Sequence, residues 1–386
     1  MIRGLAALAC FSCATTLGCR ARKAAHENTN AAPERTAHLV TRSLNTCLAR
    51  EDGSGVCWTK LDERTPVVIQ EVSGIIGPVL DVQGDAMSTC ALLRDGHLSC
   101  WGEHLGESAK APSGAPVASL PQNLTVKQFS SHYFTCALLS DESLRCANPP
   151  QQGVALHFGE PLSFGEDPPV GVSAGLLTCV LRRSGSVVCF GEGESNHFDR
   201  QERVIDLRGR RATALASGEY HACAVLEGER VVCWRDVQKR LIAQSKPYWA
   251  GAPSSSTGPV EVPLGKVARI RGINAGDHHT CVWFEDGKLK CWGDNDSGQL
   301  GLGDLRSRGT EPGQMGDQLP FVDVGRDARV VTVATGPNTT CALLSDGRIK
   351  CWGYAYTPAN SEGRTPTGDQ IPAIPLSSQR KTPSAQ

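Results

Sequence analysis

Cys341-Ala342-Leu343-Leu344-Ser345-Asp346-Gly347-Arg348-Ile349-Lys350-Cys351 folds about Asp346 into a hairpin. Leu344 then faces Arg348, Cys341 faces Cys351, and Ser345, Asp346 and Gly347 are left as a three-residue loop. The last position of such a loop is left-handed and favours glycine, which has no Cβ to clash. Directly opposed residues on antiparallel strands have Cα atoms about 4.5–5.5 Å apart, within the span of a disulfide. The stretch therefore reads as one hairpin closed by a cross-strand bridge.

The same spacing recurs along the chain. Of 17 cysteines, Cys10, Cys13 and Cys19 lie near the start, and the other fourteen form seven pairs ten residues apart. These are Cys47 and Cys57, Cys90 and Cys100, Cys136 and Cys146, Cys179 and Cys189, Cys223 and Cys233, Cys281 and Cys291, and Cys341 and Cys351. Glycine holds the loop position in five units, as Gly53, Gly96, Gly185, Gly287 and Gly347. Glu142 replaces it in the third unit and Glu229 in the fifth, where Gly228 one place earlier predicts a different turn. First cysteines of successive pairs are 43, 46, 43, 44, 58 and 60 residues apart, close to the length of a four-stranded propeller blade. Seven units fall inside the range that closes a ring.

Structural disulfides explain these cysteines best, because their number is even and an export signal precedes them. Zinc pairs are usually two to four residues apart, and a reactive dithiol has Cys-x-x-Cys spacing, which occurs only at Cys10 and Cys13 in the leading apolar segment and in none of the seven pairs. Each short loop closed contributes roughly 2–3 kcal/mol on the chain-entropy model.

Arg3 followed by the apolar run 4–17 reads as an export signal within residues 1–19, too short to span a bilayer. Thr16-Leu17-Gly18-Cys19 resembles a bacterial lipobox, although the leucine stands one place late. Two outcomes stay open: lipidation of Cys19 with surface or outer-membrane tethering, or ordinary cleavage and release. Residues 20–36 are expected to be a flexible tether and 377–386 a disordered tail. With 39 basic and 40 acidic residues there is no net field to draw the chain to nucleic acid, and the only membrane contact expected is the lipid at Cys19. The 41 glycines, 23 prolines and 5% aromatics suit an all-β fold with many turns.

Trp101-Gly102, Phe190-Gly191, Trp292-Gly293 and Trp352-Gly353 follow second cysteines, and the sixth unit continues through Asp294-Asn295-Asp296-Ser297-Gly298-Gln299-Leu300-Gly301. Together with Gly276 upstream and Asp286-Gly287 at the turn, this pattern resembles the regulator of chromosome condensation repeat family. Ala147 replaces the large residue in the third unit, and the Gly-Gln-Leu-Gly tail is confined to the sixth. The resemblance implies a seven-bladed β-propeller over 37–376 with one disulfide per blade. Ile371 to Leu376 reads as an extended segment that adds an outer strand to the first blade, with proline marking a sheet edge. The longer connections, 235–266 and 304–326, read as surface loops.

Candidate chemistry is sparse. His221 and His279 occupy a repeat position two residues before a cysteine and read as structural. Asp294 to Gly298 hints at calcium, but a hand-type loop wants Gly where Gln299 stands and Glu where Leu305 stands, so the run reads as the family's turn. Tryptophans 58, 101, 234, 292 and 352 recur once per blade and read as packing. Trp283 breaks that pattern, as do Tyr248 and Trp249 in the long insertion, and these three are the candidate partner contacts. No catalytic set, metal site or cofactor motif emerges. The expectation is an exported monomeric binding scaffold for a protein or other macromolecule, not an enzyme. Secreted enzyme inhibition and nucleotide exchange on a small GTPase, both found in the family, are the alternatives.

Overall fold

All seven expected pairs are disulfides, with Cα atoms 4.0–4.1 Å apart. They are closer than the general spacing suggests because of their place in the ladder. At the hairpin end the Leu344 N–H donates to the Arg348 carbonyl at 2.9 Å, and bonded and non-bonded pairs alternate from there. Cys341 and Cys351 thus meet at a non-hydrogen-bonded site, where the backbones approach most closely.

The computed structural model describes residues 37–375, apart from 43–44, 51–54, 61, 63, 73–77, 85–87, 103–117, 120–122, 133, 148–155, 192–199, 220, 236–257 and 312. The export signal, Cys19, the tether, the tail, Tyr248 and Trp249 lie outside the described residues. Among those described, seven antiparallel sheets follow one another along the chain, the first, fourth and fifth with four strands and the others with three. Their innermost strands are Ala37–Arg42, Val79–Gly84, Val126–Ser131, Pro169–Ser173, Ala212–Ser217, Ile270–Ala275 and Val330–Thr335. Each lies against the next, and the last lies against the first, so the ring is closed. This is the seven-bladed propeller.

The second strand of each blade is the one covered on both sides by neighbouring blades. Thr339–Leu344 is buried at every position, which is why the sequence there is a continuous run and not an alternation. The core divides accordingly into seven clusters, one at each seam between blades. Trp58, Trp292 and Trp352 are fully buried in them, and Trp234 nearly so, as blade packing requires.

Two expectations are corrected. The segment after Ile371 joins the seventh blade, not the first: Ala373 pairs with Lys350, and the Ile374 N–H donates to the Ile349 carbonyl at 2.8 Å. The first blade already has its own outer strand, Val68–Val72. The placement follows from an internal repeat, Gly316-Asp317-Gln318-Leu319-Pro320 in the sixth blade and Gly368-Asp369-Gln370-Ile371-Pro372 in the seventh. In the sixth blade the Val322 N–H reaches the Leu289 carbonyl at the same 2.8 Å. A buried lysine anchors each copy. Lys290 Nζ donates to the Leu264 and Gly316 carbonyls at 2.7 and 2.9 Å, and Lys350 Nζ to those of Val324 and Gly368 at 2.9 and 2.8 Å. The ring itself closes by apolar packing of Leu39, Leu48 and Trp58 against Leu343, Ile349 and Ile374. The long connections are also more than surface loops. Val260–Val262 forms the outer strand of the fifth blade, and Leu319, Val322 and Val324 are buried because their apolar side chains complete the seam cores.

The hairpin tips lie on one face of the ring, and three of them seal to the next blade. The carbonyls of Gly96, Gly185 and Gly287 accept the N–H groups of Val126, Ala212 and Val330, the first residues of the following innermost strands, at 2.8–2.9 Å. The approach is so close that a Cβ on Gly287, at φ +79°, would lie 2.6 Å from Arg329 Cβ. Glutamate is tolerated where this seal is absent or replaced. Pro169 offers no N–H to the third tip, and Glu142 stands there at φ 66°. At the fifth tip, where Gly228 and Glu229 both take positive φ, the Glu229 carboxylate accepts the Ile270 N–H at 2.6 Å.

Candidate functional site

The face opposite the tips carries the turns between first and second strands and the connections that leave the third. Its inner rim is built from glycines. A Cβ on Gly175, Gly218 or Gly276 would fall 2.2 Å from the carbonyl oxygen of Gly218, Gly276 or Gly336 in the next blade, so only hydrogen fits. Below this rim His221 and His279 are fully buried and tie adjacent blades, through Nε2 to Thr280 Oγ1 at 2.7 Å and to Thr340 Oγ1 at 2.8 Å. The Thr340 hydroxyl donates to the Gln299 carbonyl at 2.8 Å, so His279 Nε2 is the donor in its pair. Burial pushes His221 down to about 3 and His279 to about 4, from an ordinary 6.5. These are neutral structural histidines. Across the axis, His132 Nε2 of the third blade meets Asp277 Oδ1 of the sixth at 3.3 Å.

The Asp294–Gly298 run is consumed by its own network. Gln299 Nε2 donates to Asp294 Oδ2 at 3.1 Å, Asn295 Nδ2 to the Asp304 carbonyl at 2.8 Å, and the Leu300 N–H to Asn295 Oδ1 at 2.9 Å. The loop so formed presents the Gln299 carbonyl to the Trp352 indole at 3.0 Å, sealing the sixth blade to the seventh. This is the turn of the repeat, as its sequence suggests.

Beside that loop is a hollow of about 510 Å³, where connections from the first, sixth and seventh blades meet. Asp62, Arg64, Asp296, Leu305, Tyr354 and Pro358 line it. Asp62 Oδ1 accepts the N–H groups of Arg64 and Thr65, both at 2.8 Å, and these bonds hold its carboxyl below the usual carboxylate range. Lys60 Nζ braces the same turn through the Asp62 and Thr65 carbonyls at 3.1 and 2.9 Å. The Arg64 guanidinium has no carboxylate partner among the described residues. Opposite, Tyr354 is 51% exposed on a tight turn in which Ala355 has φ 65° and the Tyr354 N–H is held by the Asn338 carbonyl at 2.9 Å. The result is an exposed aromatic ring and a guanidinium unpaired among the described residues, on two hydrogen-bonded loops almost 300 positions apart.

Sequence reasoning singled out neither Tyr354 nor Arg64. The only local signal is an aromatic directly after Cys351-Trp352-Gly353, where the sixth unit has Asp294. Trp283 is half-buried, with its ring lying over Gly272, whose Cβ would be 2.2 Å from Trp283 Cζ2, and against the core between the sixth and seventh blades.

Fold and cysteine pattern together define a seven-bladed β-propeller with one disulfide per blade. Models of the regulator of chromosome condensation (RCC1) repeat match residues 270–299 and 330–363, and a second such model matches 286–343. The chain carries this repeat over residues 270–363. The ultraviolet-B receptor UVR8 of Arabidopsis thaliana is 28% identical over 193 residues, 47% of this chain and 41% of that protein. The X-linked retinitis pigmentosa GTPase regulator of Canis lupus familiaris is 33% identical over 189 residues, 48% of this chain and 16% of that protein. The guanine nucleotide exchange factor SRM1 of Saccharomyces cerevisiae is 26% identical over 214 residues, 50% of this chain and 42% of that protein. The chain thus spans less than half the length of these relatives. Among solved structures, Prp20p from Saccharomyces cerevisiae, described with its binding to Gsp1p and histones, is 19% identical with a TM-score of 0.55 over 76% of both chains. Human WBSCR16 is 15% identical with a TM-score of 0.55, covering 81% of this chain and 87% of that one.

Proposed function

We propose that this propeller is an exported binding scaffold that holds a protein partner on its loop face, tethered through lipid at Cys19. The observation that carries the reading is the hollow in which Tyr354 and Arg64 stand open on braced loops. Tyrosine and arginine are among the residue types that dominate binding energy at protein interfaces, because each offers a large contact area with a polar end. The relatives named for a GTPase or for nucleotide exchange support a second reading, in which the partner is a small GTPase. The test is quantitative capture of one cross-linked partner by the wild-type domain and by Tyr354→Ala and Arg64→Ala. Each substitution is expected to weaken capture by about tenfold or more, as truncation of a hot-spot residue does. Unchanged capture by both variants removes the hollow from the function. Accelerated nucleotide release from the captured protein assigns it to the GTPase reading.

A further inference from the structure

Six of the seven innermost strands break register at the same position. Their ladder partners skip Leu80, Lys127, Val170, Thr213, Arg271 and Val331, each the second residue of its strand. A bulge of this kind re-aims a side chain out of the sheet. Every innermost strand begins at the tip face, so these six residues surround the tip-face mouth of the axis. All but the half-buried Val331 are exposed, Leu80 by 42% and Val170 by 44%.

Several tip cations are neutralised locally, as in Arg183–Glu142 at 2.7 Å, Arg211–Glu227 at 3.1 Å, Lys288–Asp286 at 3.1 Å and Arg348–Asp346 at 2.6 Å. Lys127 and Arg271 have no such partner among the described residues. Asp81, the one carboxylate in the innermost strands, accepts the Val82 N–H at 2.8 Å and the Gln83 amide at 3.3 Å. Next to Lys127 the seam between the third and fourth blades opens into a hollow of about 430 Å³, lined also by Leu138, Glu142, Pro169 and Val170. It exists because this seam lacks the tip seal, Pro169 having no N–H to give.

We propose that the tip-face mouth is a second docking site, separate from the loop-face hollow, for an extended segment of a partner protein that carries aliphatic side chains beside carboxylates. An aliphatic side chain enters the hollow against Leu138 and Val170. The adjoining carboxylate pairs with Lys127, and a further one reaches Arg271 across the mouth. The charge of the occupant follows from the two cations that stand at the mouth without a carboxylate partner among the described residues.

The probe is a fluorescent peptide, acetyl-Gly-Leu-Glu-Leu-Glu-Gly-amide, followed by anisotropy beside one twin with Gln for Glu and another with Ser for Leu. The acidic aliphatic peptide is expected to bind about tenfold or more tightly than either twin. Lys127→Glu and Arg271→Glu should each weaken it by at least that factor, and Val170→Asp should weaken it similarly. These side chains are exposed, so an unaltered thermal transition serves as the control for folding. Tyr354→Ala should leave the peptide affinity unchanged, which separates this site from the loop-face one. Equal binding of the three peptides, no binding of any, insensitivity to Lys127→Glu, or retention on phosphatidylglycerol vesicles without peptide binding would overturn the proposal.

Discussion

Alanine at Gly287 and alanine at Gly347 ask the same backbone for different things. Both positions are the left-handed end of a tip loop, at φ +79° and +82°. Either substitution therefore costs about 1–2 kcal/mol for holding an L side chain in that region. At Gly347 no heavy atom of the described residues lies within 4 Å of the new Cβ, so this is the whole cost. At Gly287 the Cβ falls 2.6 Å from Arg329 Cβ and 3.0 Å from Arg329 Cα, while the Gly287 carbonyl must still accept the Val330 N–H at 2.8 Å. Relief means pushing the tip off the seventh blade, an overpacking cost of about 1–3 kcal/mol more. Urea unfolding with disulfides intact, compared at fixed slope, measures the difference. Gly185→Ala, with its Cβ 2.7 Å from Arg211 Cβ, should follow Gly287→Ala. Equal losses for Gly287→Ala and Gly347→Ala would show that the tips do not seal the seams and would refute the explanation of why glutamate is allowed at position 142.

Other outcomes are equally specific. Glu142→Gly removes a left-handed side chain and one exposed ion pair, and should stabilise by about 1 kcal/mol in the same urea assay. His221 and His279 are neutral in the fold, with pKa values of about 3 and about 4 against 6.5 unfolded, so the unfolded chain binds more protons between those values. Their contribution, on the order of 3–5 kcal/mol each, is complete above pH 6.5 and is lost as pH falls toward 4 and then 3. Replacing both by Gln should flatten the acid limb of stability against pH. Lys350→Met strands the Val324 and Gly368 carbonyls, at a cost of about 1–3 kcal/mol, and should speed amide exchange at Ile374 ahead of the rest of the seventh blade. Mass mapping without reduction should return seven linkages, each between cysteines ten apart. Any link between blades would contradict the hairpin geometry.

What the sequence determined by itself is everything that depends on neighbours about ten residues apart. A hairpin places Cys341 opposite Cys351 whatever surrounds it, so the bridges, the tip glycines and the number of blades could be read directly. His221 and His279 were correctly placed as repeat positions for the same reason. Tertiary structure alone decided what happens at the seams. The edge segment at Ile371 went to the seventh blade because a buried Lys350 and an outer-strand repeat of the sixth blade hold it there. That repeat, Gly-Asp-Gln followed by an aliphatic residue and proline, is legible in the chain but lies outside the ten-residue cysteine frame. Arg64 and Tyr354 share a hollow only because the ring closes, and the ring closes by non-directional apolar packing between the first and seventh blades. Such packing constrains composition and leaves partner choice open, so no periodicity in the chain records which residues it brings together.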